Sequence, residues 1–241
     1  DFINHSLVVY SDKKNRKGRE SIMKKAVIFD MDGVIFDSEK LYRKHWMLTA
    51  KEYNIPEDEM RKLCDLIAGA TRDRNEKLMK SRYGEDFDYD AFRMATMNRM
   101  DEEVKKNGLE LKPGVKELFD FLKENGYKIG LATSTQKERA EGNLRNAGLL
   151  DYFDYIMYGG IVKNGKPAPD IYLKACEGLL VEPSEAIGIE DSINGVKSSA
   201  AAGLYTIMVV DLIQPTDEIK ELAAHIFDSL IDVKNLLEGN K

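Results

Sequence analysis

Residues 26–29, Ala-Val-Ile-Phe, form an unbroken apolar run that stops at Asp30. A half-exposed strand would alternate apolar and polar positions. A continuous run suits a parallel strand covered on both faces. Similar runs at 127–132, 155–158, 186–189 and 205–210 predict four more strands. The stretches between them change to helical spacing. Leu118, Phe119, Phe121 and Leu122 mark the apolar face of one helix, which ends near Asn125-Gly126. A second helix is expected from about 136 to 147, with Gly148 at its end, and Pro169 and Pro183 mark further element starts. Strands alternating with helices from residue 112 onward predict βαβ units around a parallel sheet.

The segment 38–108 breaks that alternation. It is rich in Lys, Arg, Glu, Met and Leu and contains no strand-like run. Its spacing predicts helices at roughly 38–53, 57–67, 72–83 and 88–106. The lone Trp46 of this block reads as packing within it rather than as a sugar platform. The expected fold is therefore α/β: a Rossmann-like parallel sheet with helices on both faces, interrupted by an inserted all-α cap. The core is expected at 23–37 and 109–241, and the cap at 38–108. Residues 1–22 differ from the rest, a short apolar stretch leading into the basic run Lys13, Lys14, Arg16, Lys17, Arg19. The order of charge and apolar residues is wrong for a secretory signal. The stretch is expected to be an upstream extension without a catalytic part.

Composition narrows the class. The chain has 241 residues, 43% hydrophobic and 32% charged, with a net charge of −6. That is an ordinary globular balance with room for a buried core. Acidic net charge with mixed signs argues against nucleic acid as the main partner. No apolar run approaches the roughly 20 residues needed to cross a bilayer, so no membrane partner is expected. Cys64 and Cys176 lie in no metal-type spacing and read as free thiols of a reducing, cytoplasmic setting. Oligomeric state is not legible.

Candidate chemistry sits where the predicted strands end. Ligands of open parallel sheets bind beyond the strands' carboxyl ends. Asp30-Met31-Asp32-Gly33-Val34 follows the first strand. Asp30 is suited to act as a nucleophile and Asp32 as a proton donor and acceptor. Taken alone, D-x-D fits an acidic turn after a strand at least as well. Thr133-Ser134-Thr135 closes the second strand. Hydroxyls and free N–H groups there suit a phosphate oxygen, or a helix N-cap. Lys166, in Gly165-Lys166-Pro167-Ala168-Pro169-Asp170, can offset negative charge or simply be a solvated loop lysine. Glu190 and Asp191 end the fourth strand. Such oxygen ligands suit Mg²⁺, and acids also suit a helix start.

As an ordered set, these four signatures resemble the haloacid dehalogenase superfamily, and within it the β-phosphoglucomutase and small sugar-phosphate phosphatase subgroup. The resemblance spans roughly residues 24–235. It implies that Asp30 is the nucleophile, Asp32 the general acid/base, and Thr133 and Lys166 the grip on the phosphoryl group, with Ser134 and Thr135 nearby. It implies Mg²⁺ held by Asp30, the backbone carbonyl of Asp32 and Asp191, with Glu190 close by or ligated. In the cap, Arg72 after Gly69-Ala70-Thr71 falls near an arginine that grips the substrate's second phosphate in the mutase, and Arg99, more loosely, near a substrate-binding lysine; Arg72 can equally be a solvent-exposed arginine at a helix start. Tyr42 stands where the mutase pattern has a histidine, and His45 would point elsewhere on the helix. Gly160 replaces the acid of a G-D-x-V pattern, with no function assigned, and His5 and His225 read as incidental. Dehalogenation is disfavoured by Asp32, since an alkoxide leaving group needs a proton and chloride does not. The expected activity is thus a Mg²⁺-dependent phosphatase for a small phosphorylated metabolite of the sugar-phosphate kind, working through an aspartyl-phosphate intermediate. The alternatives are a β-phosphoglucomutase-type phosphotransferase and a non-catalytic binding protein on the same scaffold.

Overall fold

The computed structural model describes residues 8–9, 22–67 and 72–239. Apart from Val8–Val9 and Ile22, the expected extension lies outside the described residues, as do His5 and the loop residues Gly69, Ala70 and Thr71. Val8–Val9 (β1) pairs antiparallel with Ile22–Met23 (β2). The chain divides into two compact units, one of residues 1–36 and 111–241 and one of residues 37–110.

The first unit is built on a six-stranded parallel sheet. Its strands are Ala26–Phe29 (β3), Lys128–Ala132 (β4), Tyr155–Met157 (β5), Ala186–Glu190 (β6), Tyr205–Val209 (β7) and His225–Phe227 (β8). Their order is β5-β4-β3-β6-β7-β8. The five expected strands are present within one residue at either end, and β8 is an additional edge strand. β3 is buried at all four positions, which is why it reads as an unbroken apolar run. Because successive strand residues point to opposite faces, β3 serves two cores. Ala26 and Ile28 pack with Ile171, Ala175 and Leu179 of helix Asp170–Leu179 (α7), numbered after the six helices that precede it. Phe29 meets Phe119 of helix Val115–Glu124 (α5) with ring centroids 4.8 Å apart. The remaining helices of this unit are Lys137–Asn146 (α6), Ile193–Ala201 (α8), Asp217–Leu222 (α9) and Leu230–Leu237 (α10).

The chain leaves β3 toward β4 and β5, then returns to lay β6, β7 and β8 on the other side. β3 and β6 therefore flank the point where the winding reverses, and a crevice is expected beyond their carboxyl ends.

The second unit contains helices Ser38–Glu52 (α1), Glu57–Ile67 (α2), Arg72–Tyr83 (α3) and Tyr89–Asn107 (α4). Trp46 is fully buried among Tyr42, Met60, Leu63 and Phe92, as packing rather than as an exposed platform. Leu48, two residues further along α1, is exposed. His45 is buried with Nε2 3.0 Å from Glu103 Oε2, whereas Tyr42 packs against the cluster around Trp46. Cys64 and Cys176 are free and buried. No helix among the described residues is long and apolar enough to cross a membrane.

Candidate active site

The sheet register assembles the first group of side chains. Phe29 pairs with Ile189 on one side and with Leu131 on the other. The Asp30 N–H donates to the Ile189 carbonyl at 2.9 Å. Asp30 therefore stands beside Glu190 and one strand from Thr133, although these residues are far apart in sequence. Lys166 enters from the loop before α7, which contains a cis Lys166–Pro167 bond. Its Nζ donates to Asp30 Oδ1 at 2.5 Å and to the Ala132 carbonyl at 2.9 Å, and lies 2.6 Å from Glu190 Oε1. Among the described residues, Asp30, Glu190 and Asp191 each offer an oxygen within 4.8 Å of the others.

Burial sets the electrostatics. Asp30 has its carboxyl pushed up to about 7, first by burial and then by Glu190 and Asp32, with Lys166 opposing. Burial pushes Asp191 well above the carboxylate range, and repulsion from Asp30, Glu190 and Asp211 adds to it. Burial would depress Lys166, but Asp30 and Glu190 outweigh it and hold its ammonium above the usual value. One lysine thus faces a surplus of buried acids. Such a surplus of hard oxygen donors fits a divalent cation of the Mg²⁺ type.

Asp32 and the hydroxyls form the adjoining group. Thr135 Oγ1 donates to Asp32 Oδ2 at 2.8 Å. Thr133 is buried, and its Oγ1 accepts from the Thr135 N–H at 3.0 Å. The N-cap reading of these hydroxyls is corrected. Helix α6 begins two residues later, with Gln136 at its N-cap and no side-chain capping bond, so they are not spent on the helix. Ser134 is exposed. Two glycines make the crowding possible. A Cβ on Gly33 would lie 2.1 Å from Asp191 Oδ2, and φ there is +81°. A Cβ on Gly195 would lie 1.8 Å from Glu190 Oε2. The acids at 190 and 191 do not cap α8, since Ser192 does so through Gly195 N–H.

Other expected residues stand elsewhere. In the helical unit, Arg72 pairs with Asp90 at 2.6 Å and Arg99 pairs with Glu52. Gly160 adopts φ +80°, a left-handed conformation in the loop after β5, which accounts for a glycine there. His225 lies in β8, stacked on Phe227. Sequence reading missed Tyr172. Its buried hydroxyl donates to Glu190 Oε1 at 2.7 Å, and its ring lies 5.4 Å from Lys166 Nζ. The available signal was a tyrosine in the first turn of the helix after the lysine loop.

A sequence profile described as haloacid dehalogenase-like hydrolase matches residues 27–209, from β3 to the end of β7. The chain belongs to that family. Its relatives narrow the branch. The phosphorylated carbohydrates phosphatase of Thermotoga maritima is 38% identical over 187 residues, covering 76% of this chain and 83% of that protein. The β-phosphoglucomutase of Bacillus subtilis is 32% identical over 191 residues, covering 77% of this chain and 83% of that protein. The structure of a CbbY variant from Rhodobacter sphaeroides in complex with xylulose-(1,5)bisphosphate superposes with a TM-score of 0.68 at 25% identity, covering 86% of this chain and 95% of that one. The protein is thus a haloacid dehalogenase-like enzyme of the phosphatase and phosphohexomutase type, carrying the Rossmann-like sheet of that family.

Proposed function

We propose that the protein is a Mg²⁺-dependent phosphomonoesterase for small phosphorylated carbohydrates and works through a phosphate carried on Asp30. The observation behind this reading is the convergence of Lys166 on Asp30 and Glu190, with Asp32 held by Thr135 beside them. An anionic nucleophile can approach an anionic phosphate only where that charge is offset. Neutralisation and positioning are the main work of phosphoryl-transfer sites. Asp30, Glu190 and Asp191, with the Asp32 carbonyl as a further candidate ligand, would hold Mg²⁺, which would supply positive charge against the nucleophile and the phosphate.

The chain's own groups then divide the reaction. An Asp30 carboxylate oxygen attacks phosphorus, and the ester P–O bond breaks. The departing alkoxide takes the proton from Asp32, whose other oxygen accepts from Thr135. Asp32, now ionised, removes a proton from a water that attacks the aspartyl phosphate. The Asp30–phosphorus bond breaks, releasing inorganic phosphate and restoring both acids. Lys166 holds the charge of Asp30 and of the transferring group, Tyr172 and Lys166 fix Glu190, and Thr133, Ser134 and Thr135 offer polar contacts to phosphate oxygens. Arg72 and Arg99 are the candidates for a distal anionic group of the substrate.

Phosphate release across a panel of phosphorylated sugars tests the reading. Turnover should need Mg²⁺, stop with chelator, and fall by on the order of 10⁴-fold in a folded Asp30→Asn variant. Retained turnover in that variant contradicts the assignment. The second reading, a β-phosphoglucomutase-type transfer, draws on the relatives' activity. The Tyr42 hydroxyl side chain in place of an imidazole weighs against it. Conversion of β-glucose 1-phosphate to glucose 6-phosphate, with a trace of 1,6-bisphosphate and no matching free phosphate, would establish it.

A further inference from the structure

Past the end of β7, a second buried charge pair lies close to the acids described above and has no part in the reaction as written. Lys112 Nζ donates to Asp211 Oδ1 at 2.7 Å, and both side chains are largely covered, at 17% and 9% exposure. Lys112 is fixed from its backbone side as well, its N–H donating to the Ile35 carbonyl at 2.9 Å. The other oxygen of Asp211, Oδ2, is buried and has no hydrogen-bond partner. It faces the bare Cα of Gly33: a Cβ there would lie 3.3 Å from Asp211 Oδ2 and 2.1 Å from Asp191 Oδ2. Two carboxylate oxygens therefore crowd the same side of one glycine, and the charge of Asp211 adds to the upward push on Asp191.

An unpartnered carboxylate oxygen beside a cluster of acids needs a proton-bearing neighbour or a cation. Asp211 stands outside the three acids whose oxygens lie within mutual reach of one ion. Mg²⁺ in protein sites keeps several of its waters. Groups that accept hydrogen bonds from such an outer layer tune affinity, typically by 10–100-fold.

We propose that Asp211, held by Lys112, is a positioning residue of the cation site, its Oδ2 accepting a hydrogen bond from a water carried by the ion that Asp30, Glu190 and Asp191 bind. The inference rests on the cation site of the proposed function. In this role Lys112 fixes one carboxylate oxygen so that the other stays aimed toward Asp191, and Gly33 leaves the space between them open.

Isothermal titration of chelator-treated protein with Mg²⁺ alone tests this in wild type, Asp211→Asn and Asp191→Asn. The expected result is roughly tenfold weaker binding in Asp211→Asn, a metal-free melting temperature near that of wild type, and no measurable binding in Asp191→Asn. Unchanged affinity in Asp211→Asn, with or without a lowered melting temperature, alongside lost binding in Asp191→Asn, overturns the role of Asp211 alone and leaves a purely structural pair. Unchanged binding in Asp191→Asn overturns the cation site itself. Should Asp211→Asn not fold, the crystal structure of the wild-type protein with Mg²⁺ decides. A metal-bound water about 2.5–3.0 Å from Asp211 Oδ2 supports the inference, and its absence ends it.

Discussion

The sheet end and the helical unit use the same charged residue types under opposite conditions. At the sheet end, Lys166 is 8% exposed and sits between Asp30 at 11% and Glu190 at 0%. In the helical unit, Arg99 and Glu52 form their pair at 38% and 51% exposure. Arg72 with Asp90 and Arg82 with Glu59 are likewise solvated. Water screens the second kind of pair and leaves each partner solvated when the pair opens. Where water is removed, each charge depends on its neighbours, and the acids rise toward values useful for chemistry. Burial, more than the number of charges, therefore separates a candidate reaction centre from a charged surface.

The largest effect expected from this contrast concerns stability. Lys166→Met strands two buried carboxylates and should cost on the order of 3–5 kcal/mol in metal-free protein, besides removing turnover. Chemical denaturation measures it. A cost no greater than that of an exposed pair would break the comparison at its strongest point.

The next effect is one of sign with pH. Asp30 is raised to about 7, so between about pH 4 and 7 the native state holds a proton that the unfolded chain has lost. Its contribution to stability is complete below about pH 4 and disappears as pH rises through 7. Glu103 in the helical unit is lowered, first by its hydrogen bond from Lys44. Its contribution is present above the ordinary glutamate range and is lost as pH falls through the lowered value. In metal-free protein, the melting-temperature difference between wild type and Asp30→Asn should therefore move toward destabilisation of wild type as pH rises from 4 to 7. The difference between wild type and Glu103→Gln should shrink only on acidification. The same direction of change in both would show that burial does not separate the two regions.

Legibility in the sequence followed the same division. Strands buried on both faces have few options and read as continuous apolar runs, so Asp30, Thr133 and Glu190 could be placed at strand ends before any coordinates. The helices of the insert were legible from spacing and from starts such as Asp88, whose side chain accepts from the Ala91 N–H. β8 escaped because a three-residue edge strand of half-buried His225, Ile226 and Phe227 is too short to establish a period. The break between units, expected at 37/38 and 108/109, lies at 36/37 and 110/111. Phe36 pairs with Leu111, which keeps both with the sheet, and no local pattern announces that pairing. Tyr172 and Asp211 were missed for a related reason. Each matters through a partner distant in sequence, Glu190 for one and Lys112 for the other.

The smallest expected effect sharpens the comparison from its exposed side. Arg99 spends its guanidinium on Glu52 in a solvated pair, so Arg99→Ala should change stability by less than about 1 kcal/mol. A solvated pair is also one that a substrate can exchange at little cost, because the carboxylate released returns to water rather than remaining buried. If Arg99 binds a distal phosphate, Arg99→Ala should raise KM for a sugar bisphosphate roughly tenfold while leaving KM for the monophosphate near wild type, since a charge-assisted hydrogen bond contributes about 1.5–3 kcal/mol. Equal KM changes for the two substrates would return Arg99 to the surface. A large loss of stability would instead show that exposure in the helical unit does not mean independence from the fold.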